Sequence, residues 1–200
     1  MHLINENTPL LSTERLILRK FTDKDIEALF AIYKDEEVNT YLPWFPLQSL
    51  VEAKEFYEEK YAKAYKQPNG YKYAICLKND NVPIGYVHVS MDDNHDLGYG
   101  LRKEFWHLGI VSEAVKAVIE QLKHDGFPYI TATHDIKNLR SGGVMKQVGM
   151  YYQYSYEEQW QPKDILVTFR MYQLNFDGKN NRVYKKYWET STVHFIETDV

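Results

Sequence analysis

The chain is short of the features that would tie it to a membrane, a metal or a familiar nucleotide loop. Its one cysteine, Cys76, excludes an intramolecular disulfide and a thiolate zinc site. That usage fits a cytoplasmic protein. No apolar run approaches the roughly 20 residues that span a bilayer, and residues 1–7 lack the basic start and apolar core of a signal peptide. The 7 histidines never fall at His-x-x-x-His spacing, so no metal is expected. No Gly-x-x-x-x-Gly-Lys-Ser/Thr and no Gly-x-Ser-x-Gly occurs, which removes the P-loop and the hydrolase elbow. With 24 basic and 28 acidic residues the formal charge is −4, so a general nucleic-acid surface is not implied. What is present is ordinary for a soluble globular chain: 44% apolar and 26% charged over 200 residues, enough for a sizeable core. There are no repeats or low-complexity tracts. Residues 1–178 read as one domain and 179–200 as a C-terminal extension.

After a loose lead-in over residues 1–11, Arg15 to Phe21 alternates as a strand. Thr22, with Asp25 three residues on, opens a helix whose stripe is Ile26, Leu29, Phe30 and Tyr33. Asp35-Glu36-Glu37 reads as a solvated acidic run. Tyr41-Leu42-Pro43-Trp44-Phe45-Pro46 breaks the helix and gathers aromatics in a loop, either to plug the core or to face a ligand. Gln48 or Ser49 caps a second helix running to about Lys66. Tyr71–Leu77 and Val82–Met91 form a hairpin across Lys78–Asn81, and Pro83 suggests that its second strand starts at an edge. Asp96–Leu101 follows as a strand, with Gly98 and Gly100 permitting a bulge or a close ligand approach. A further strand covers Tyr129–His134. Tyr151–Trp160 and Asp164–Asn175 close the domain as a hairpin, and period two puts Tyr152, Tyr154 and Tyr156 on one face.

The informative stretch is Phe105-Trp106-His107-Leu108-Gly109-Ile110-Val111-Ser112-Glu113-Ala114, which joins a strand to a helix running to His124. Val111, Val115, Val118 and Leu122 form the apolar stripe, while Glu113, Lys116, Glu120 and Lys123 oppose it. Gly109 stands where the helix begins. The first-turn amides have no intrahelical acceptors, and the helix dipole favours an anion there. A glycine keeps no side chain between them and a phosphate. A packed helix with an ordinary glycine would show the same pattern. One strand later comes Asn138-Leu139-Arg140-Ser141-Gly142-Gly143-Val144-Met145-Lys146-Gln147-Val148-Gly149-Met150.

Together these segments resemble the GNAT acetyltransferase superfamily, which binds acetyl-CoA. The family's loop, Gln/Arg-x-x-Gly-x-Gly/Ala, corresponds here to Trp106, Gly109 and Val111, with only the central glycine kept. Asn138, Ser141, Gly149 and Met150 match its Asn-x-x-Ser/Ala helix and closing Gly-Phe-like pair. Trp106, Glu113-Ala114 and the opening Thr13-Glu14-Arg15-Leu16 are similar to the Rim-type branch, which includes protein N-terminal acetyltransferases.

The resemblance implies an α/β fold: a mixed, mostly antiparallel sheet of about seven strands, splayed centrally, with helices on both faces. It implies that Tyr99, Gly100 and Leu101, the run Trp106, His107, Leu108, Gly109, Ile110, Val111 and Ser112, and Asn138 with Ser141 hold the cosubstrate acetyl-CoA. Asp96 stands where several members carry a catalytic carboxylate, against its reading as a turn aspartate. Ser141 is then the proton donor to the leaving sulfur, or a helix-start hydrogen bonder. Many members place a tyrosine where this chain has Met145, so that source of a proton is missing. His134 and Asp135 end a strand at an acceptor-facing position, and Tyr41, Trp44 and Phe45 belong to the connection beside the acceptor. The implied reaction is direct transfer to a primary amine of a small molecule or a protein N-terminus, by a monomer or homodimer. A non-catalytic acyl-CoA-binding module is the alternative of a different class.

Overall fold

A computed structural model describes residues 6–200; the first five residues of the expected lead-in and of the segment tested for a signal peptide lie outside the described residues. The strands are β1 (Leu11–Ser12), β2 (Leu16–Arg19), β3 (Tyr71–Leu77), β4 (Pro83–Val89), β5 (Leu97–Leu101), β6 (Tyr129–Asp135), β7 (Tyr151–Trp160), β8 (Ile165–Asn175) and β9 (His194–Phe195). The helices are α1 (Ile26–Tyr33), α2 (Leu50–Tyr57), α3 (Lys63–Tyr65), α4 (Ile110–His124), α5 (Leu139–Gln147) and α6 (Lys186–Thr190). The expected second helix is interrupted by a π turn over Glu58–Ala62, and Ser49 caps it by accepting from the Glu52 amide.

Two antiparallel sheets form, ordered β1-β2-β3-β4-β5 and β6-β8-β7-β9. They meet at one parallel bridge, Asp96 with Thr131, beyond which β5 and β6 part. The predicted splay is therefore present. The strand number exceeds seven because β1 and β9, of 2 residues each, add to the edges. Pro83 is a correction: β4 pairs with both β3 and β5, so it is interior. Proline is tolerated there as the first residue of the strand, beside a register shift at Cys76.

Alternation within β5 sets what lies on each side of the cleft. Leu97, Tyr99 and Leu101 join the core under α4, with Val115, Val118 and Leu122 from the helix stripe. Each of those three helix side chains is fully buried, a contribution of about 1.5–3 kcal/mol apiece. Gly98 and Gly100 face the other way, under rings from β4. A Cβ on Gly100 would lie 2.5 Å from the Tyr86 ring, and one on Gly98 would collide with His88. The space that a side chain would need at these glycines is thus taken by protein rings. Tyr33, Tyr86 and His88 continue as a stack on that face, with centroids 5.1 and 5.4 Å apart.

The tyrosines of β7 are a second correction. A register shift between Tyr152 and Tyr154 sends Tyr152 toward Tyr172 on the α4 side. Tyr154 and Tyr156 pack instead with Phe169, Met171, Tyr184, Tyr187 and Trp188. The C-terminal segment covers this face, Tyr187 stacking on Tyr156 at 5.0 Å. Further on, Glu197 accepts from Arg170 and from Ser155.

Candidate active site

A cavity of about 570 Å³ lies at the end of β5, walled by the loop and start of α4, by α5 and by the connection after α1. Of the residues expected to hold the cosubstrate, Tyr99, Gly100, Leu101, Trp106, His107, Gly109, Ile110, Val111, Ser112, Asn138 and Ser141 line it, and Leu108 does not. One wall is the start of α4. Gly109 is its N-cap, with φ 71° and ψ 8°, a left-handed backbone that suits glycine. The nearest atom to a Cβ there would be Arg15 Nη2 at 3.7 Å, so conformation rather than crowding asks for glycine. Ile110, Val111 and Ser112 present first-turn amides, donors without intrahelical acceptors, at the cavity wall.

Arg15, which sequence reasoning assigned only to a strand, braces this junction from behind. Its Nε donates to Glu113 at 2.6 Å and its Nη1 to the Leu108 carbonyl at 2.9 Å. Glu113 also accepts from the Thr13 hydroxyl and the Arg15 amide. Burial alone would disfavour the Glu113 carboxylate, but these donors outweigh it and hold its pKa below the ordinary value. Glu113 is thus a structural anchor of the loop. The signal for Arg15 lay in the Thr-Glu-Arg run, whose partner, 98 residues away, could not be read from spacing.

The opposite wall is α5. Asn138 caps it, its Oδ1 accepting from the Ser141 amide at 3.3 Å. Tyr99 reaches across from β5: its hydroxyl donates to the Ser141 carbonyl at 2.8 Å and lies 3.0 Å from Ser141 Oγ. Burial raises the Tyr99 pKa, so the phenol keeps its proton. Met145 is buried in the core. The hydroxyl pair at the cleft is therefore Tyr99 with Ser141, and the pairing of β5 with α5 was invisible in the linear sequence.

Asp96 sits at the joint of the two sheets. Its Oδ1 accepts from Thr131 Oγ1 at 3.3 Å, and its amide donates to Asn94 Oδ1 at 3.3 Å. Burial pushes its pKa up from 3.8 to about 7, against the Thr131 bond and with Glu158 adding to the rise. A carboxyl raised in this way is a candidate for proton exchange, but Asp96 lies outside the cavity lining.

The remaining expected residues are dispersed. Tyr41 lines the cavity. Trp44 instead packs on Tyr33 and Phe56 and donates to Asn39, which is the core-plug alternative. Phe45 is exposed. His134 lies outside the lining, buried beneath α5, where a Cβ on Gly142 would come within 2.6 Å of its Nε2. Its Nδ1 bonds the Asp135 carbonyl, and burial lowers its pKa, leaving it neutral. Asp135 is also outside the lining; its carboxylate accepts from the Lys137 amide. Among the described residues no cluster of metal-ligating side chains occurs. No described helix is long and apolar enough to cross a membrane.

Comparison with known proteins fits this geometry. Residues 15–151 match the model of the acetyltransferase (GNAT) domain. This chain belongs to the GNAT acetyltransferase family. It is 30% identical over 115 residues to the uncharacterized N-acetyltransferase YoaA of Bacillus subtilis (strain 168), a match spanning 56% of this chain and 64% of YoaA. In structure it resembles RimL, a ribosomal L7/L12 alpha-N-protein acetyltransferase solved with coenzyme A, with TM-score 0.74 and 17% identity over 84% of this chain and 99% of that one. It also resembles the microcin C7 self-immunity acetyltransferase MccE, solved with acetyl-CoA and AMP, with TM-score 0.72 and 16% identity over 82% and 93% of the two chains. The two structural likenesses bear on fold. GNAT family membership of this chain agrees with the resemblance read from Trp106, Gly109, Asn138 and Ser141.

Proposed function

We propose that this chain transfers an acetyl group from acetyl-CoA directly to a primary amine. The observation that carries the reading is the cavity between the end of β5 and α5, with the Gly109 helix start in one wall and the Tyr99–Ser141 hydroxyl pair spanning it. The amides of Ile110, Val111 and Ser112 would bind the diphosphate, and Asn138 would order the start of α5 beside it. Acetyl-CoA supplies the activated acyl group. Asp96 takes the proton that an ammonium must lose before it can attack. Tyr99 and Ser141, both protonated, supply the proton that the departing thiolate requires. No nucleophilic side chain is needed when acceptor and thioester are held together. Cys76 is buried away in the core and burial raises its thiol to about 12, which suits no nucleophilic role.

Isothermal calorimetry with acetyl-CoA, using Gly109→Trp as the paired variant, tests the cradle. Saturable binding lost in the variant supports it; an intact, folded protein that binds nothing refutes it. Free-thiol release with peptide N-termini in one panel and small amines in another then tests transfer and assigns the acceptor class. Binding without turnover in either panel would favour the acyl-CoA-binding module.

A further inference from the structure

The acidic run before the aromatic loop is not simply solvated. Glu37 reaches the cavity wall, where it faces two cations. Lys103 Nζ donates to Glu37 Oε2, and Arg140 Nη2 lies 3.9 Å from Glu37 Oε1. The Arg140 guanidinium in turn sits 4.1 Å from the centre of the Trp106 ring. Glu37, Trp106 and Arg140 all line the same cavity, yet they come from three elements: the α1–α2 connection, the loop before α4, and α5. A carboxylate has the wrong sign for a wall that receives phosphates. It has the right sign to occupy the place of one.

We infer that Glu37 is a resident counter-ion displaced by a phosphate of coenzyme A, and that Arg140, with Lys103 beside it, is the cation that receives that phosphate. The inference rests on the reading that this cavity takes acetyl-CoA. The exchange favours phosphate on physical grounds. Side chains of Glu37, Arg140 and Lys103 are 46%, 50% and 55% exposed, and ion pairs of that exposure are weak. A phosphate offers a guanidinium more charge and a two-pronged, charge-assisted contact. Trp106 lets Arg140 change anion without leaving the wall, because its ring holds the flat face of the guanidinium while the N–H edge stays free. Trp106 itself is fixed by its Nε1 donating to the Leu101 carbonyl at 2.9 Å.

The test is calorimetric titration of the full chain with coenzyme A and with dephospho-coenzyme A, each at low and high NaCl. Arg140→Gln is expected to weaken coenzyme A on the order of tenfold, and Glu37→Gln to tighten it on the order of threefold. Both changes should shrink as salt rises. If the Arg140 effect persists with dephospho-coenzyme A, the diphosphate is the partner; if it disappears, the 3′-phosphate is. Weaker binding by Glu37→Gln would overturn the inference, because the carboxylate would then be needed to position Arg140 rather than being displaced. So would an Arg140→Gln loss that is equal at both salt concentrations, the mark of a packing role, or no change in either variant. A wild-type chain that binds no coenzyme A would instead overturn the acetyl-CoA reading itself. Unfolding midpoints by circular dichroism check that both variants, altered at half-exposed side chains, keep the fold.

Discussion

Replacing Asp96 by asparagine separates a proton-exchanging role for this carboxyl from a turn role, and it does so in stability as well as rate. In the folded chain burial raises the carboxyl from 3.8 to about 7. Between those values the native state holds a proton that the unfolded chain has released. Unfolding free energy therefore falls as pH rises through that window: the stabilising contribution of the protonated form is complete below about 4 and is lost by the time pH passes about 7. The gap corresponds to about 4 kcal/mol at 1.36 kcal/mol per pH unit. By surface exposure the residue is only half-buried, so on the order of 2–3 kcal/mol is expected. Asparagine has the same shape, still accepts from Thr131 and carries no charge to desolvate. Asp96→Asn should thus match the wild type below about pH 4, where both forms of the side chain are neutral, and exceed it by that amount at pH 8, in urea unfolding at constant ionic strength. The same variant should lose turnover, and wild-type free-thiol release should rise with pH through about 7. A stability difference that stays constant from pH 5 to pH 8 would refute the desolvation argument. A variant that retains wild-type turnover would refute the role of base.

Four other outcomes follow from particular contacts. Gly109→Val must place a β-branched residue at φ 71°, which should cost about 1–2 kcal/mol of stability and weaken acetyl-CoA binding in calorimetry, with Gly109→Asn intermediate. Gly142→Ala drives a methyl against the His134 ring and should cost about 1–3 kcal/mol; in a His134→Ala background most of that cost should vanish in a double-mutant cycle. Tyr99→Phe and Ser141→Ala should each lower the maximal rate of thiol release more than they weaken acetyl-CoA binding, and equal losses in both would assign the pair to binding alone. Glu197→Ala leaves Arg170, whose side chain is 19% exposed, without its carboxylate, and should lower unfolding free energy by about 1–3 kcal/mol in urea.

Local patterns carried most of the architecture. The period of α4 and the glycine at its start could be read directly, because helix periodicity and helix-terminus chemistry are short-range. The splay came from the family resemblance and not from local pattern; Gly98 and Gly100 were read as room for a bulge or a ligand, and the rings of Tyr86 and His88 proved to be what their missing side chains make room for. The misreadings share a cause. A single register shift in β7 separates Tyr152 from Tyr154 and Tyr156, and alternation by two cannot announce a bulge. Pro83 was read as marking an edge because proline cannot donate to a ladder; the second neighbour of its strand, β5, pairs only from Gly85 onward and lies beyond a turn. Arg15 with Glu113, Tyr99 with Ser141, and Glu37 with Arg140 are contacts between distant segments, and nothing local marks which residue each will meet. What the linear reading lacked at the site was therefore pairing rather than composition.

Those long-range pairs also explain how a cleft can persist in the middle of a sheet. Unpaired strand edges cost free energy when they are buried and invite association when they are exposed. Beyond the Asp96–Thr131 bridge, β5 and β6 no longer pair with each other. Closing them would let those backbone groups pair with each other, so something must hold the walls apart. Arg15 and Glu113 fix the start of α4 to β2, and the Tyr99 hydroxyl fixes α5 to β5 at a distance set by the length of a tyrosine. A ligand lying in the cleft can then satisfy the free strand edges with amide groups of its own, as an added strand would. Acetyl-CoA carries such amides between its thioester and its phosphates. On the acetyl-CoA reading proposed above, the separation that leaves the strand edges unpaired would be the place where those amides pair.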